Sequence, residues 1–318
     1  MSNSPSTQIP TRPLGRSGIE VSMLGFGGGH IAREGMSESD SVRLLQTAID
    51  HGVTFLDNAW EYASGEAERR MGLGISGRRD QVVLMTKVCG RDKATAESQL
   101  HESLHRLKTD YLDVWQFHEI NYDNDPEWIT GPGGALEAAI EAREAGKVRL
   151  IGFTAHKSPH IVKKMLSQDF PWDTVQMPIT VMDPGYRSFI REILPLLNER
   201  GIGCIGMKSL GGEGQFVQHA NLTPQDCRRF ALSQPISTLV TGMQSLRDVT
   251  QDVTIAREFT PMSETEQSSL LKSIHEVAGD GRHEWYKSTQ FYDSPCHREQ
   301  HGFPPIGHVN TDQIIEEE

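Results

Sequence analysis

The sequence has few cysteines, no long apolar run and no excess of basic residues, and each shortage excludes a class of protein. Its four cysteines, at positions 89, 204, 227 and 296, form no CxxC pair and are too sparse for a disulfide framework in 318 residues. No apolar run approaches the roughly 18 residues of a membrane span, and the N-terminus carries no secretion signal. We therefore expect a cytoplasmic protein with reduced thiols and no membrane partner.

Basic residues are outnumbered by acidic ones, 31 Lys and Arg against 43 Asp and Glu, which gives a formal net charge of −12. An acidic chain with a pI near 5.5 repels phosphate backbones, so nucleic acid is not an expected partner. The length suffices for one large domain or two ordinary ones with a sizeable core. The oligomeric state cannot be read from these features.

A regular alternation of short apolar runs and helix-like stretches begins near residue 13. Most of the runs are continuously apolar, which is typical of parallel strands covered on both faces. The predicted strands are 21–27, 54–59, 82–88, 112–118, 148–154, 174–180, 202–208 and 236–242. Helices are predicted from a Ser37 cap to Gly52 and over 94–108, 134–145, 187–200, 245–258 and 263–278.

Eight strand–helix units in about 250 residues predict an α/β fold, a (β/α)8 TIM barrel over residues 13–260 with a C-terminal extension. The rival is a doubly wound open sheet. It is disfavoured because the glycine cluster at 25–29 does not have GxGxxG spacing and the next helix begins only near residue 38. Residues 1–12 are predicted to be a flexible arm. Residues 261–318 form a helix and a tail that either covers the barrel mouth or is loose.

Polar residues at the ends of three successive strands suggest an active site, because such barrels carry their sites where the strands end. Asp57, Lys87 and His118 stand at the second, third and fourth strand ends, and Tyr62 lies in the first of these loops. Each residue alone has an ordinary structural explanation, such as a cap or packing. Their combination at neighbouring strand ends is what favours catalysis.

The four side chains together can act as a general acid. A tyrosine hydroxyl has a pKa of about 10, which a neighbouring lysine ammonium lowers, and an aspartate holds that ammonium in place. A histidine nearby can hydrogen-bond a substrate carbonyl. Such a set serves a carbonyl that receives hydride, and since no side chain supplies hydride, a nicotinamide cofactor is expected.

The motifs that carry these residues resemble the aldo-keto reductase family from about residue 14 to about residue 259. They are the Phe-Leu-Asp-Asn-Ala run that ends at 59 with Tyr62, the Thr-Lys pair at 86–87, the runs 110–118 and 146–152, and Gln176. The resemblance implies a (β/α)8 barrel that reduces aldehydes and ketones with NADP(H) or NAD(H). It also implies that Tyr62 is the general acid, that Lys87 and Asp57 tune it, and that His118 orients the carbonyl.

The resemblance further implies a set of cofactor-binding residues. These are Gly27, Gly28, Asp57, Thr154, Gln176, Met207, Lys208, Leu210, Gly212, Gly242, Ser245, Arg247 and Asp252. The chain departs from the family pattern at Ala155, where Asn is common, at Met207, where a stacked Tyr is common, and at Asp252, where Asn is usual. Arg247 alone is available to bind a 2′-phosphate, and Asp248 and Asp252 would repel it, so NADP(H) is only slightly favoured over NAD(H).

The expected substrate is a small carbonyl compound of unidentified structure, with Trp60, His118 and Trp128 lining its pocket and the loop 122–134 shaping it. Glu61 is interpreted as solvated. No metal site is predicted, because Cys296, His297 and His301 lack the spacing of a structural zinc site. The alternative function is a non-catalytic, cofactor-sensing regulatory subunit, which the departures at Ala155 and Met207 favour.

Overall fold

A closed barrel of eight parallel strands forms the centre of the protein in the computed structural model, which describes residues 8–212, 214–287 and 299–301. Two short strands, β1 (Thr11–Pro13) and β2 (Glu20–Ser22), precede it and pair antiparallel. The barrel strands are β3 (Leu24–Gly27), β4 (Phe55–Asp57), β5 (Val83–Val88), β6 (Leu112–Phe117), β7 (Val148–Thr154), β8 (Thr174–Pro178), β9 (Gly203–Met207) and β10 (Thr238–Thr241). Each pairs with its neighbour in chain order, and β10 closes the ring onto β3. The predicted (β/α)8 TIM barrel is confirmed.

Helices connect the strands and form the outer layer. They are α1 (Glu38–Asp50), α2 (Glu66–Gly74), α3 (Lys93–Leu107), α4 (Asp125–Thr130), α5 (Ala135–Glu144), α6 (Pro159–Leu166), α7 (Phe189–Glu192), α8 (Leu194–Arg200), α9 (Gln215–His219), α10 (Pro224–Leu232), α11 (Leu246–Arg257), α12 (Glu264–Ser273) and α13 (His275–Ala278). Short 3-10 turns occur at Gly28–His30, Tyr62–Gly65, Arg79–Gln81, Asp183–Gly185 and Trp285–Lys287. Among the described residues, no helix is both long and apolar enough to span a membrane.

Capping residues define where these helices begin. The Ser37 hydroxyl accepts the backbone N–H of Asp40 at 3.1 Å, so α1 begins after the predicted cap. The single helix predicted over 187–200 is wrong, because the chain breaks at Ile193 into α7 and α8. Pro195 lies in the first turn of α8, where backbone N–H groups have no acceptor within the helix, so a residue without an N–H is tolerated. The predicted loop 122–134 contains α4.

The lower half of the barrel interior is apolar. Phe55, Met85 and Val114 cluster there with Leu14 and Val21 of the β1–β2 hairpin, which closes this end. All five side chains are fully buried. Polar side chains such as Asp57 and Lys87 are instead found at the other end, where the strands finish.

The N-terminal segment is attached to the barrel as far as it is described. The Arg12 guanidinium donates to the carbonyl oxygens of Ile236 at 2.9 Å and Leu232 at 2.8 Å, and Ile9 is 6% exposed. Residues 9–12 therefore pack against the barrel, which argues against a loose arm over this stretch. The first seven residues of the predicted arm lie outside the described residues.

Two described parts of the C-terminal extension lie where the barrel strands end. In the turn Trp285–Lys287, the Lys287 ammonium donates to Asp183 Oδ1, in the loop after β8, at 2.8 Å. Further on, the carbonyl oxygen of Gln300 accepts the side-chain amide of Gln99 at 2.9 Å, and that of His301 accepts the N–H of Arg91 at 3.3 Å. These contacts favour the covering alternative for the extension, while Cys296 and His297 lie outside the described residues.

Candidate active site

The structure brings together the four residues predicted to be catalytic. The Lys87 ammonium pairs with Asp57 and donates to the carbonyl oxygen of Asn58 at 2.7 Å. Its nitrogen lies 5.0 Å from the centre of the Tyr62 ring. The Tyr62 ring in turn packs edge-on against His118, with the ring centres 5.8 Å apart. Neighbouring parallel strands place their ends at one rim, which is why residues far apart in sequence meet here.

The Lys87–Asp57 pair is buried, and both partners make further hydrogen bonds. Lys87 is 1% exposed and Asp57 is 4% exposed. One carboxylate oxygen of Asp57 faces Lys87, and the other accepts the Gln176 side-chain amide at 2.7 Å. Buried opposite charges are stable only when both are satisfied in this way, so this arrangement fixes the ammonium in place.

The loop after Tyr62 has an unusual backbone. Ala63 and Ser64 adopt φ values of 50° and 53°, and Gly65 follows at 88°. Left-handed conformations at residues other than glycine cost about 1–3 kcal/mol each and cluster at functional sites. They turn the chain so that the Tyr62 ring lies over Gly29, where an added Cβ would approach the ring within 3.4 Å.

The pKa of Tyr62 differs from the sequence-based expectation. Burial raises this pKa well above its ordinary value, and the nearby charges of Asp57 and Glu61 raise it further. The expected lowering by Lys87 is wrong for the free protein, because Asp57 balances the lysine charge. The phenol consequently keeps its proton at neutral pH.

Glu61 belongs to the site, and its interpretation as a solvated residue is wrong. Its side chain is 13% exposed, and Oε1 lies 2.5 Å from His118 Nδ1. The Cys89 thiol donates to Oε2 at 3.1 Å. Burial alone would raise the pKa of Glu61. The charge of His118 and its hydrogen bond to Glu61 outweigh this effect of burial, and they lower the pKa to about 2.

Arg91 is a second residue that sequence reasoning missed. Its guanidinium is 2% exposed and pairs with Asp125 at 2.9 Å. It also donates to the carbonyl oxygens of Cys89 at 3.0 Å and His118 at 2.8 Å. Arg91 therefore ties together the backbones that follow β5 and β6. Its position four residues past the predicted Lys87 is the signal that the sequence offers.

The predicted nicotinamide contacts lie at the ends of β7, β8 and β9. Gln176 Oε1 is buried and has no hydrogen-bond partner among the described residues, so an acceptor is left open. Thr154 Oγ1 already accepts the backbone N–H of Glu119 at 2.9 Å, although its own proton remains to donate. Met207 ends β9 with 9% of its surface exposed.

The glycines predicted to contact the cofactor have packing roles. A Cβ on Gly27 would lie 3.1 Å from the carbonyl oxygen of Thr241, and one on Gly28 would lie 2.9 Å from the Asn58 side chain. A Cβ on Gly242 would lie 2.2 Å from the His30 ring. Tight packing therefore accounts for these three glycines, and their contact with a cofactor stays a prediction.

Lys208, Leu210 and Gly212 follow β9. The Lys208 ammonium lies 5.6 Å from the centre of the Tyr286 ring, which belongs to the C-terminal extension. Leu210 packs beside the apolar cluster around Phe216, and Gly212 adopts a φ of 88° that favours glycine. The pKa of His30, also at this rim, is lowered to about 4 by burial, then by Arg33 and by Lys208.

In the region predicted to bind the adenosine part of the cofactor, the side chain of Asp252 already pairs with another side chain of the protein. It is 2% exposed, and both of its oxygens accept hydrogen bonds from Arg228 at 3.1 Å. The prediction that Asp252 contacts the cofactor is therefore wrong, and so is its expected repulsion of a 2′-phosphate. Ser245 caps α11 by accepting the N–H of Asp248 at 3.2 Å, and Arg247 is exposed on the first turn of that helix.

Of the two tryptophans predicted to line the substrate pocket, Trp60 contacts the outer helix α3 and Trp128 lies on α4. The Trp60 indole donates to Glu102 at 3.0 Å, and the Arg106 guanidinium lies 5.6 Å from the Trp60 ring centre. Both partners are on α3 in the outer layer, and the part of Trp60 in lining the pocket stays a prediction. Trp128 is 40% exposed on α4, and its part in substrate binding stays a prediction.

Comparison with known proteins agrees with this geometry. The model of the Aldo/keto reductase family matches residues 23–268. L-galactose dehydrogenase from Arabidopsis thaliana is 26% identical over 310 residues, which cover 85% of this chain and 95% of that protein. The aldo-keto reductase AKR11C1 from Bacillus halodurans, in its holo form, has a TM-score of 0.69 and 25% identity, and the similarity covers 83% of this chain and 96% of the other.

A likeness in fold extends to an aldo/keto reductase from Klebsiella pneumoniae in complex with NADP and acetate. Its TM-score is 0.69 at 22% identity, with 84% of this chain and 95% of the other covered. The family match spans the barrel and includes Asp57, Tyr62, Lys87 and His118. The chain belongs to the Aldo/keto reductase family of oxidoreductases.

Proposed function

We propose that this protein reduces an aldehyde or ketone to an alcohol, with hydride from a nicotinamide dinucleotide and a proton from Tyr62. The observation that carries the proposal is the convergence of Tyr62, Lys87, Asp57 and His118 at one rim of the barrel. The set combines a proton donor, a fixed cation and a second hydrogen-bonding group, as carbonyl reduction requires.

The residues at the end of β8 suit a nicotinamide carboxamide. Gln176 uses its amide nitrogen to hold Asp57, which leaves its buried Oε1 to accept from an amide NH₂ group. Thr154 and Met207 lie at the adjacent strand ends, and methionine packs well against an aromatic face. The dinucleotide supplies the hydride when it is bound.

The side chains of the protein supply the remaining chemistry. His118 hydrogen-bonds the carbonyl oxygen and aims it toward Tyr62. Tyr62 holds its proton on the phenol oxygen until negative charge develops on that carbonyl oxygen. An alkoxide is a stronger base than a phenolate, so a raised phenol pKa still permits the transfer. Lys87 then stabilises the phenolate that remains, while Asp57 keeps the ammonium charged.

We further propose that the cofactor is NADP(H) in slight preference to NAD(H). Arg247 is exposed at the start of α11, where a cationic side chain can pair with a 2′-phosphate. Arg228 neutralises Asp252, which removes one source of repulsion. The Klebsiella pneumoniae protein that shares this fold is described in complex with NADP.

The substitution Tyr62→Phe tests the proposal. We expect the variant to bind NADPH as the native protein does, as followed by cofactor fluorescence, and to lose about 10²–10⁴-fold in the rate of carbonyl reduction. Tyr111→Phe is the matched control, because Tyr111 stacks on Arg79 at 3.9 Å outside the site. The substrate panel contains aromatic and dicarbonyl aldehydes. It also contains L-galactose for the reverse reaction, because a relative aligned along most of the chain bears the name L-galactose dehydrogenase.

Three outcomes decide between the functions. Loss of turnover in Tyr62→Phe alone supports the reductase. Unchanged turnover in that variant rejects Tyr62 as the acid. Tight cofactor binding by the native protein without turnover of any panel member favours the alternative, a cofactor-sensing regulatory subunit.

A further inference from the structure

We infer that Glu61, Cys89 and His118 form a binding site for one zinc ion beside the proposed catalytic residues. The three side chains follow β4, β5 and β6 and therefore meet at the same rim. Binding of the ion does not rest on the proposed reductase function, and the experiments below test the two separately.

The donor atoms are close enough to share one ion. A carboxylate oxygen of Glu61, the Cys89 sulfur and a ring nitrogen of His118 all lie within 4.8 Å of one another. Zinc binds oxygen and nitrogen at about 2.0–2.2 Å and sulfur at about 2.3 Å, so its tetrahedral ligands lie about 3.5 Å apart. The donor atoms must therefore move closer together by about 1 Å at most to reach that spacing. The combination of a thiol, an imidazole and a carboxylate suits zinc and does not suit calcium or magnesium, which prefer oxygen alone.

His118 Nδ1 faces the cluster directly. The atom is buried, and Glu61 Oε1 lies 2.5 Å from it, so a ligand nitrogen and a ligand oxygen already stand side by side. A zinc ion bound to the lone pair of Nδ1 and to the carboxylate would replace the hydrogen bond between these two side chains.

The backbones that carry two of the ligands are held rigidly. Arg91 donates to the carbonyl oxygens of both Cys89 and His118, and Asp125 fixes Arg91 in turn. The backbone N–H of Cys89 also donates to Gln99 at 2.8 Å. Little conformational freedom remains to be lost when an ion binds, which favours affinity.

The local charges permit a cation. Lys87 and Arg91 are nearby cations, but each already has its own carboxylate, Asp57 and Asp125 respectively. Glu61 supplies one negative charge. Cys89 supplies the second when its thiol proton leaves to solvent as the sulfur–zinc bond forms. Three protein ligands leave one tetrahedral position open to water, as in zinc sites that are not purely structural.

Cobalt(II) titration of the metal-free protein tests the site, because a cobalt–thiolate bond gives a characteristic near-ultraviolet absorption. We expect one equivalent of cobalt to produce that band, and zinc to displace it. Cys89→Ser should abolish the band. Cys227→Ser is the matched control, since Cys227 is buried in a separate apolar cluster and should leave the band intact. Cys296→Ser should also leave it intact, which separates this site from any site formed by the C-terminal cysteine and histidines.

Zinc titration by calorimetry provides a second readout. Removal of a residue that only hydrogen-bonds a metal ligand typically weakens metal binding about 10–100-fold. Glu61→Gln changes a ligand itself, so it should weaken zinc binding by at least about tenfold. Zinc should raise the melting temperature of the native protein and not that of Cys89→Ser. Circular dichroism checks that each variant is folded, and Cys89→Ala replaces Cys89→Ser if the latter is not.

Absence of zinc binding by the folded native protein would overturn the inference, as would a cobalt band that survives in Cys89→Ser and disappears in Cys296→Ser. Carbonyl reduction by the same metal-free samples is measured in parallel. Zinc binding without any turnover would remove the reductase proposal and keep the metal site. Turnover without zinc binding would remove the metal site and keep the reductase proposal.

Discussion

The Lys87 ammonium lies 5.0 Å from the centre of the Tyr62 ring, yet its hydrogen bonds go to Asp57 and to the carbonyl oxygen of Asn58. Lys87 therefore acts on Tyr62 through space, and its position depends on Asp57. The buried lysine and aspartate are one unit, and Gln176 completes it from the other side of the carboxylate.

The substitution Asp57→Asn should both destabilise the protein and slow carbonyl reduction. It leaves the Lys87 charge buried without its counter-ion, and breaking a buried pair in this way costs about 3–5 kcal/mol of unfolding free energy. Urea unfolding and turnover measure the two effects. Asp50→Asn is the control, because Asp50 pairs with Arg78 at the surface and such pairs are worth about 0–1 kcal/mol. Equal stability of the two variants would show that the buried pair is not a unit.

The substitution Gln176→Met should weaken cofactor binding. It removes the open acceptor Oε1 and also the donor that holds Asp57. Loss of a hydrogen bond worth about 1 kcal/mol, together with a less fixed Asp57, corresponds to an affinity reduced about tenfold. NADPH fluorescence titration measures it, with Gln46→Met on the outer helix α1 as the control. An unchanged dissociation constant would show that Gln176 does not face the cofactor.

The strand ends at the centre of the site could be predicted from the sequence. Fully buried parallel strands are continuous apolar runs, so the polar residue that ends each run is visible, as with Lys87 in β5 and His118 after β6. Since all eight strands point the same way, these ends must share a rim. The four predicted catalytic residues could therefore be grouped without any knowledge of side-chain packing.

The contacts between loops could not be predicted in the same way. The pair of Arg228 and Asp252 joins two helices, and the direction of each side chain depends on how those helices pack. Trp60 and Glu61 are adjacent beyond β4, yet Trp60 contacts the outer helix α3 and Glu61 contacts His118. No periodicity governs side-chain direction once a strand has ended, so the surroundings of Glu61 and Asp252 were predicted wrongly.

The substitution Gly72→Ala should destabilise the protein although alanine normally favours a helix over glycine. A Cβ at Gly72 on α2 would lie 2.6 Å from the carbonyl oxygen of Arg106 and 2.7 Å from the carbonyl carbon of Leu107, both backbone atoms of α3. The two helices must move apart, at a cost of about 1–3 kcal/mol. Gly74→Ala is the matched control in the same helix, since the atoms nearest to its Cβ all belong to the Leu45 side chain, with Cδ2 at 2.6 Å, and side-chain atoms can move more easily than backbone. Urea unfolding should rank Gly72→Ala as the less stable variant, and the opposite order would contradict the packing argument.

Glu284 should make the stability of the protein depend on pH. Burial raises the pKa of this carboxyl group to about 7, despite the opposing charge of Lys287, and Asp183 beside it raises the pKa further. In the unfolded chain the same group ionises near its ordinary pKa of about 4.3. The folded state therefore binds an extra proton between these two values. The stabilisation by that proton is fully present below the unfolded pKa and is lost as pH rises through the folded one.

The substitution Glu284→Gln should remove this dependence, because glutamine cannot ionise. The variant should gain stability relative to the native protein between about pH 5 and 7, by an amount on the order of a few kcal/mol that then stays constant. Urea unfolding at pH 5, 6, 7 and 8 measures the difference, with the exposed Glu276→Gln as the control. Since Lys287 and Asp183 fix the C-terminal turn to the loop after β8, the same loss should appear as lower amide protection around Trp285 above pH 7, relative to the intrinsic exchange rate at each pH. Parallel pH profiles for the native protein and Glu284→Gln would show that Glu284 is ionised throughout and simply paired with Lys287.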